Sequence, residues 1–324
     1  MRFVYFMLLA GCATEIDPVG FDPAESDDTK ADGGGMPDVR CADDPVVAAK
    51  SQFRHRHNRV TAALGGPQHR GIDLITTASG TQVIAGELAY GVFDDGIDDE
   101  DVELFACRAG AWEQIGTATT VEHGAFALEL HDDARLPIGM RDMFLSVPGD
   151  RTSTRFLAVV APEGTPLAIS DVDGTLTQFE AAFAIEKFGI DTGIHDGAPE
   201  AFHKLAGRGH VPVYLTARAR RSTEETRAWL DKHGMPRGPL RLADGVMLPG
   251  SSTVAYKTEV LRALDGFELA LGNGNRASDI EAYRAAGIPA DRITIKLPEF
   301  TLEVRGALDR GEARGFDHYD QLVP

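Results

Sequence analysis

The chain has 324 residues, enough for two compact domains with additional segments, because single cores usually stop growing below that length. It carries 32 basic and 50 acidic residues, which gives a net charge of −18 at pH 7. This charge repels the phosphate backbone of nucleic acid, so no nucleic-acid partner is expected. Beyond the first residues, no stretch of the sequence approaches the ~18 apolar residues of a membrane span.

Residues 1–12 have the pattern of an export signal. Arg2 precedes a short apolar run that ends in Leu9-Ala10-Gly11-Cys12. This ending resembles the lipobox of bacterial lipoproteins, which implies acylation of Cys12 and a lipid-anchored protein of the bacterial cell envelope. Ala13 in place of an acidic residue favours the outer membrane. An ordinary secretory signal or a chance apolar start are the alternatives, since the run is short.

The next two segments have little of the composition of a folded core. Residues 13–44 are rich in Asp, Pro and Gly and predict a flexible tether. Residues 45–81 form a basic helical or connecting segment, with a helix from about Pro45 to Leu64. In an exported chain Cys41 and Cys107 could pair in a disulfide, and two buried free thiols are the alternative.

Residues 82–162 change to short β-rich runs separated by turn residues, which predicts a small all-β sandwich of the immunoglobulin-like kind. The predicted strands are Gln82–Tyr90, Val102–Cys107, Ala125–Leu130, Met143–Val147 and Arg155–Val160.

Residues 163–300 alternate apolar strands with helices, which is typical of an α/β domain with a parallel sheet and flanking helices. Residues 301–324 are expected to form a C-terminal tail. The predicted strands of the α/β domain are Leu167–Ser170, Val211–Leu215, Leu240–Leu242, Glu268–Leu271 and Arg292–Ile295.

Two carboxylates follow the first strand of this domain, where ligands bind in open parallel sheets. Asp171 and Asp173 are two residues apart, and Gly174 allows a sharp turn that directs both acids to one pocket. Phosphoryl transfer through an aspartyl-phosphate needs such a pair, one acid as nucleophile and one to carry the proton. An EF-hand is excluded because it would need Gly at 176 and Glu at 182, which are Leu176 and Ala182. Simple helix capping by the acids is the remaining structural alternative.

The stretch from Asp171 to Thr175 resembles motif I of the haloacid dehalogenase superfamily, and later residues resemble its other motifs in order. The resemblance implies a parallel sheet of that superfamily and a phosphatase that uses Mg²⁺. It implies catalytic roles for Asp171, Asp173, Thr216 and Lys257; metal binding by Asp171, Asp173 and either Asn275 or Asp279; and substrate contacts from Gly174, Thr175, Ala217 and Arg218. For Arg218, a salt bridge on the rim of the sheet is an equal alternative.

Two narrower resemblances suggest different functions. The runs Tyr214–Ala219 and Gly274–Tyr283 are similar to the lipin phosphatidate phosphatases, whereas Gly139–Thr152 is similar to the C-terminal region of retinal-degeneration-type phosphatidylinositol transfer proteins. The first family implies hydrolysis of phosphatidate. The second implies a phosphatidate-binding module that lacks the nucleophilic acid. Because both acids are present here, hydrolysis of phosphatidate or another lipid phosphate is favoured, with a soluble envelope phosphomonoester as a further alternative. No clear amphipathic lipid-docking helix is seen in the sequence, and protein partners are not predicted.

Overall fold

The computed structural model describes residues 36–180, 192–245, 247 and 250–322. The predicted signal, Cys12 and most of the predicted tether lie outside these residues. Within the described ranges, no helix is both long enough and apolar enough to cross a bilayer.

The N-terminal part is a β-sandwich, as the sequence predicted. One sheet has the order β3-β11-β10-β7-β8, with β1 added alongside β10, and the other has the order β2-β4-β9. A core that includes Leu104, Phe126 and Phe156 fills the space between them. The elements are β1 (Asp38–Val39), α1 (Arg56–Leu64), β2 (Arg70–Ile72), β3 (Leu74–Thr77), β4 (Val83–Glu87), β5 (Ala89–Tyr90), β6 (Asp95–Gly96), β7 (Asp101–Arg108), β8 (Ala111–Thr119), β9 (Ala125–Glu129), β10 (Gly139–Ser146) and β11 (Ser153–Ala161).

The sandwich begins well before residue 82, so the predicted boundaries of the tether and of the connecting segment are wrong. Strand β1 lies within 13–44 and pairs with β10, while β2 and β3 lie within 45–81. Cys41 is joined to Cys107 by a disulfide bond. Composition could not reveal these strands, because they are two to four residues long and gain their partners from distant parts of the chain.

The predicted helix from Pro45 to Leu64 is confined to its last nine residues, α1. Upstream, backbone N–H groups bond to the sandwich instead of to a helical turn. Ser51 N donates to the Pro148 carbonyl, and Arg54 N donates to the Glu100 carboxylate. The tertiary partners therefore replace the helical hydrogen bonds there.

The C-terminal part is a six-stranded parallel sheet with flanking helices, as predicted. The strand order is β14-β13-β12-β15-β16-β17. Ser170, the last residue of β12, lies opposite Tyr214 on one side and Asn273 on the other. The elements are β12 (Pro166–Ser170), α2 (Ala198–Gly207), β13 (Val211–Ala219), α3 (Thr223–Lys232), β14 (Leu240–Ala243), α4 (Ser251–Arg262), β15 (Glu268–Gly274), α5 (Ala277–Ala285), β16 (Ile293–Lys296), α6 (Thr301–Asp309) and β17 (Arg314–Phe316).

The predicted C-terminal tail is part of this domain, so the predicted boundary at residue 300 is wrong. Strand β17 pairs with β16, and α6 contributes Val304 to the core. Tyr319 is fully buried. Strand β17 has three residues, one of them Gly315, and therefore gave no periodic apolar pattern in the sequence. In the folded chain, apolar side chains of this segment pack against the edge of the parallel sheet.

Besides the core inside the sandwich, a second apolar cluster lies between the sandwich and the α/β domain. Ile75, Val159 and Ala161 of the sandwich belong to the same cluster as Leu167 and Val213 of the parallel sheet. Burial of apolar surface between the two layers stabilises both. The parallel sheet, whose strand ends carry the acids, is thus packed against the sandwich.

Candidate active site

Asp171 lies at the carboxyl end of the central strand β12, where its side chain is buried. Its backbone N–H donates to the Asn273 carbonyl at 2.9 Å, which ties the residue to β15. Thr175 Oγ1 donates to Asp171 Oδ2 at 3.2 Å. The turn between them needs glycine, because Gly174 has a φ of +67° and a Cβ there would lie 2.1 Å from Asn275 Nδ2. The turn therefore packs directly against the strand end that bears Asn275.

Lys257, on α4, connects two buried carboxylates. Its Nζ donates to Asp171 Oδ1 at 2.7 Å and to Asp279 Oδ1 at 2.6 Å. Burial raises the pKa of Asp171 to about 8, with the Lys257 ammonium opposing that shift and Asp279 adding to it. Against its own burial, the two carboxylates raise the pKa of Lys257. The ammonium is therefore retained, and it is positioned to neutralise charge next to Asp171.

Asp279 and Asn275 differ in what their oxygens do. Asp279 Oδ2 accepts hydrogen bonds from the backbone N–H groups of Asn275 and Arg276, both at 3.0 Å, while its Oδ1 accepts from Lys257. Asn275 Nδ2 donates to Glu180 at 2.9 Å, but its Oδ1 is buried and accepts no hydrogen bond from any described residue. Asp279 therefore positions its neighbours, whereas Asn275 offers an unused oxygen.

Asp173 is held by Arg218, which β13 delivers to the pocket. Arg218 Nε donates to Asp173 Oδ2 at 2.9 Å and Nη2 donates to Oδ1 at 2.7 Å, a two-point contact. Thr216 Oγ1 is 3.3 Å from Asp173 Oδ2. Ala217 lies half-buried between them. Of the two alternatives for Arg218, the structure has the salt bridge, but inside the pocket and with the second acid.

Several residues of the site have no short-range pattern and were missed from sequence. Glu180 fixes the Asn275 amide, and its backbone N–H donates to Glu299 at 3.2 Å. Burial raises the pKa of Glu180. Tyr319 donates from its hydroxyl to the Thr175 carbonyl at 2.6 Å and accepts from Asn273 Nδ2 at 3.3 Å. Glu180 and Tyr319 reach their partners only in the folded chain, because those partners lie about 50 to 140 residues away in the sequence.

Two family models match this chain. Residues 168–296 match the one described as PITM 1-3, LNS2 domain, and residues 67–160 match PITM 1-3, beta-sandwich domain. The first stretch lies in the α/β domain and the second in the β-sandwich, and each is less than half of the chain. This confirms the expected relationship to the haloacid dehalogenase-like phosphatases and the expected order of domains.

Curated proteins similar to this chain come from both of the families that the sequence resembles. Membrane-associated phosphatidylinositol transfer protein 3 of Mus musculus is 26% identical over 70% of this chain and 23% of its own length. Protein retinal degeneration B of Drosophila melanogaster is 26% identical over 70% of this chain and 18% of its own. Phosphatidate phosphatase LPIN3 of Mus musculus is 30% identical over 44% of this chain and 18% of its own. The chain thus spans about a quarter or less of these relatives' lengths.

The fit of the candidate site to Mg²⁺ can be tested from its own atoms. Among the described residues, no group of three or more His, Cys, Asp or Glu side chains is arranged to hold a metal ion. The candidate set here is different, because it combines the Asp171 carboxylate and the Asp173 backbone carbonyl with the orphaned Oδ1 of Asn275. Oxygen donors of these kinds suit Mg²⁺, which usually takes only one or two protein carboxylates. The residues therefore fit the ion, with Asn275 rather than Asp279 as the third donor.

Proposed function

We propose that this chain is a magnesium-dependent phosphomonoester hydrolase that acts through an aspartyl-phosphate on Asp171, with phosphatidate or another lipid phosphate as its substrate. The main support is the presence of both acids of the mechanism at one strand end, with the Lys257 ammonium 2.7 Å from the nucleophile. Relatives that are phosphatidate phosphatases by name support the lipid substrate.

In the first step, a carboxylate oxygen of Asp171 attacks phosphorus and the bond from phosphorus to the lipid oxygen breaks. The departing alkoxide takes a proton from the Asp173 carboxyl group. In the second step, Asp173 accepts a proton from water, the water oxygen attacks phosphorus, and the bond to Asp171 breaks. Inorganic phosphate leaves and both acids are restored.

The surrounding residues hold the phosphoryl group while these bonds change. Lys257 offsets the charge that develops between Asp171 and the phosphate, and the Thr216 hydroxyl, 3.3 Å from Asp173, holds a phosphoryl oxygen. Mg²⁺, held by Asp171, the Asp173 carbonyl and Asn275, would supply further neutralisation of the phosphoryl oxygens. Arg218 must release at least one oxygen of Asp173 before that acid can reach the leaving group.

The decisive experiment is phosphate release from phosphatidate in detergent micelles, with magnesium and then with a chelator. We expect Asp171→Asn to reduce release by roughly a thousandfold or more, because the nucleophile is lost. Asp265→Asn, an exposed acid of the same domain, is the matched control and should behave as wild type. Release that is unaffected by Asp171→Asn would exclude the aspartyl-phosphate.

A non-catalytic phosphatidate-binding module is the second candidate, and one contact favours it. The Arg218 guanidinium contacts both oxygens of Asp173, which opposes the protonation of that acid on which turnover depends. Phosphatidylinositol transfer protein 3 of Mus musculus also matches 70% of this chain, against 44% for phosphatidate phosphatase LPIN3. This candidate predicts binding to phosphatidate vesicles, no phosphate release, and no effect of Asp171→Asn on binding. Release from p-nitrophenyl phosphate but not from phosphatidate would instead support a soluble substrate.

For location, we propose an envelope protein anchored by an acyl chain on Cys12, with the outer membrane favoured. The signal-like start supports this, and so does the Cys41–Cys107 disulfide, which suits an oxidising compartment. Mass spectrometry of the mature N-terminus tests it. A diacylated Cys12 is expected, and an unmodified chain that begins at Met1 would contradict the proposal.

A further inference from the structure

Three large apolar side chains are exposed together at one corner of the sandwich. Leu64, the last residue of α1, is 84% exposed, while Val92 and Phe93, in the turn between β5 and β6, are 83% and 85% exposed. The two segments are in contact, since Gly91 N donates to the Gly66 carbonyl at 2.8 Å. We call Leu64, Val92 and Phe93 the apolar tip. Such side chains, clustered in water, mark an interaction surface.

Basic side chains border the apolar tip. On α1, Arg56, Val60 and Leu64 follow one another at intervals of four residues and so share a face, and Arg56 and Arg59 are exposed. Arg59 and Lys50 also line a neighbouring groove of about 340 Å³. In a chain with a net charge of −18, this concentration of cations next to exposed apolar groups is unusual.

The acids near the apolar tip are mostly engaged by other groups. Asp94 accepts two hydrogen bonds from Arg70, both at 2.6 Å, and Asp99 pairs with Arg54 and His55. Asp95, on β6, is exposed. Asp98 is exposed as well, and it accepts a hydrogen bond from Gly124 N. Within the described residues, neither Arg56 nor Arg59 forms an ion pair with these acids, whereas Arg54 does.

A series of ion pairs connects this corner to the carboxyl end of β13. Asp94 pairs with Arg70, Arg70 with Glu87, and Glu87 with Arg220. Arg220 is two residues beyond Arg218, which holds Asp173. The apolar tip is thus linked through three ion pairs to the strand end from which the candidate active site is built.

We propose that the apolar tip and the basic face of α1 form a docking surface for an anionic lipid bilayer. Apolar side chains that enter the acyl region, bordered by Arg and Lys at headgroup level, are the features that hold a protein on such a surface. A second copy of the chain is a poorer occupant. Stable protein interfaces use ~20–30 residues a side, far more than this corner presents. This proposed docking surface is separate from the candidate active site, and membrane binding through it does not depend on the proposed catalysis.

The test uses the full chain with Cys12→Ser, so that no acyl chain contributes, and vesicles of phosphatidylcholine with or without phosphatidylglycerol. Phosphatidylglycerol is anionic but is not a phosphomonoester, so binding reports the docking surface. We expect flotation only with the phosphatidylglycerol vesicles and weaker binding at high salt. Phe93→Ser should lower the partition coefficient about tenfold, and each of Arg56→Gln and Arg59→Gln about fivefold.

Leu302→Ser is the matched control, because Leu302 on α6 is also 84% exposed but lies on the α/β domain. Unfolding temperatures should be equal for all of these variants, since the altered side chains are exposed. Equal partition of Phe93→Ser and Leu302→Ser would overturn the proposal. So would a dimer in sedimentation that Phe93→Ser dissociates while vesicle binding is unchanged. Failure of catalysis alone is distinguishable, because Asp171→Asn should bind these vesicles as wild type does.

Discussion

Lys257 is the residue on which the charge state of the site depends. It is buried, and its ammonium is shared between Asp171 and Asp279 at 2.7 and 2.6 Å. Burial raises the pKa of Asp171 because its carboxylate loses water; the Lys257 ammonium opposes this shift and the Asp279 charge adds to it. In the proposed mechanism, the same ammonium stabilises the phosphate that enters the pocket.

We therefore expect Lys257→Met, which keeps the length of the side chain, to abolish turnover and to lower the unfolding free energy by about 3 kcal/mol. The unfolding free energy falls by this amount because removal of the ammonium leaves two buried carboxylates without their cation. Urea unfolding at neutral pH measures it. Lys204→Met, at an exposed position on α2, should change neither quantity, and equal stability of the two variants would contradict the assigned role.

Asp173→Asn should separate the two halves of the mechanism. The variant cannot protonate a leaving group. The alkoxide released from phosphatidate is a poor leaving group without that proton, so the rate of phosphatidate turnover should fall by a factor of ~10²–10⁴. The first step with p-nitrophenyl phosphate, whose leaving group needs no proton, should be much less affected. The burst of p-nitrophenol before the slow steady state measures this step. Equal losses in the two first steps would show that Asp173 is not the acid.

The sequence predicted roles for the two acids because they follow an apolar strand, and for Lys257 only through the family resemblance, since it lies within a helix. It could not decide between Asn275 and Asp279 as metal ligands, since that choice depends on which oxygen atoms other groups already occupy. Arg218 likewise required the folded pocket. Its guanidinium reaches Asp173 from a neighbouring strand, a relation that spacing along the chain does not contain.

At the scale of elements, regular and apolar segments were predicted well, and short or exposed ones were not. Strands β12, β13 and β15 are continuous apolar runs and were found within a few residues. Strand β8 was missed because it is an edge strand, largely exposed, and so lacks an apolar face. Strand β1 has two residues, and its partner β10 is about a hundred residues away.

The attachment of β1 is reinforced by the disulfide between Cys41 and Cys107, 66 residues apart. Closing a loop of this length in the unfolded chain is worth about 4 kcal/mol on the chain-entropy model. We expect Cys41→Ser with Cys107→Ser to lower the unfolding free energy by up to that amount. Urea denaturation with and without reductant provides the comparison. A reductant effect that persists in the double variant would assign the stabilisation to another cause.

At the scale of the whole molecule, Asp73 fastens the sandwich to the α/β domain. It is buried, and its carboxylate accepts hydrogen bonds from Arg227, from Leu157 N and from Leu240 N. Its backbone carbonyl accepts another from Arg241. One residue of the sandwich thus satisfies donors from both layers.

Asp73→Ala should lower the unfolding free energy by about 3–5 kcal/mol, because it leaves buried donors and a cation without a partner. It should also split the unfolding transition, since the two layers would no longer unfold together. Calorimetry measures both effects. Asp142, which pairs with Arg237 across the same interface, is a matched second site, and Asp142→Ala should have the same direction of effect. A single unshifted transition would contradict the role given to Asp73.

The acid limit of stability should depend on His69 in the sandwich. Burial lowers the pKa of His69 to about 4, below its ordinary value of 6.5. Between these values the unfolded chain binds the proton and the folded chain does not. Stability is therefore lost as pH falls from about 6.5 towards 4, by ~1.4 kcal/mol per pH unit from this residue. His69→Gln should flatten the slope of unfolding free energy against pH, and exposed His131→Gln should not.

The turn that follows Asp171 is held by Tyr319, which is synthesised much later than the turn itself. The Tyr319 hydroxyl holds the Thr175 carbonyl across 144 residues of sequence. A ribosome that adds ~5–20 residues per second makes Tyr319 roughly 7–30 s after it makes Thr175. During that interval the acids are present but their loop is not fastened. A chain synthesised only as far as the two acids therefore lacks this hydrogen bond, and the candidate site is completed only after Tyr319 has been made.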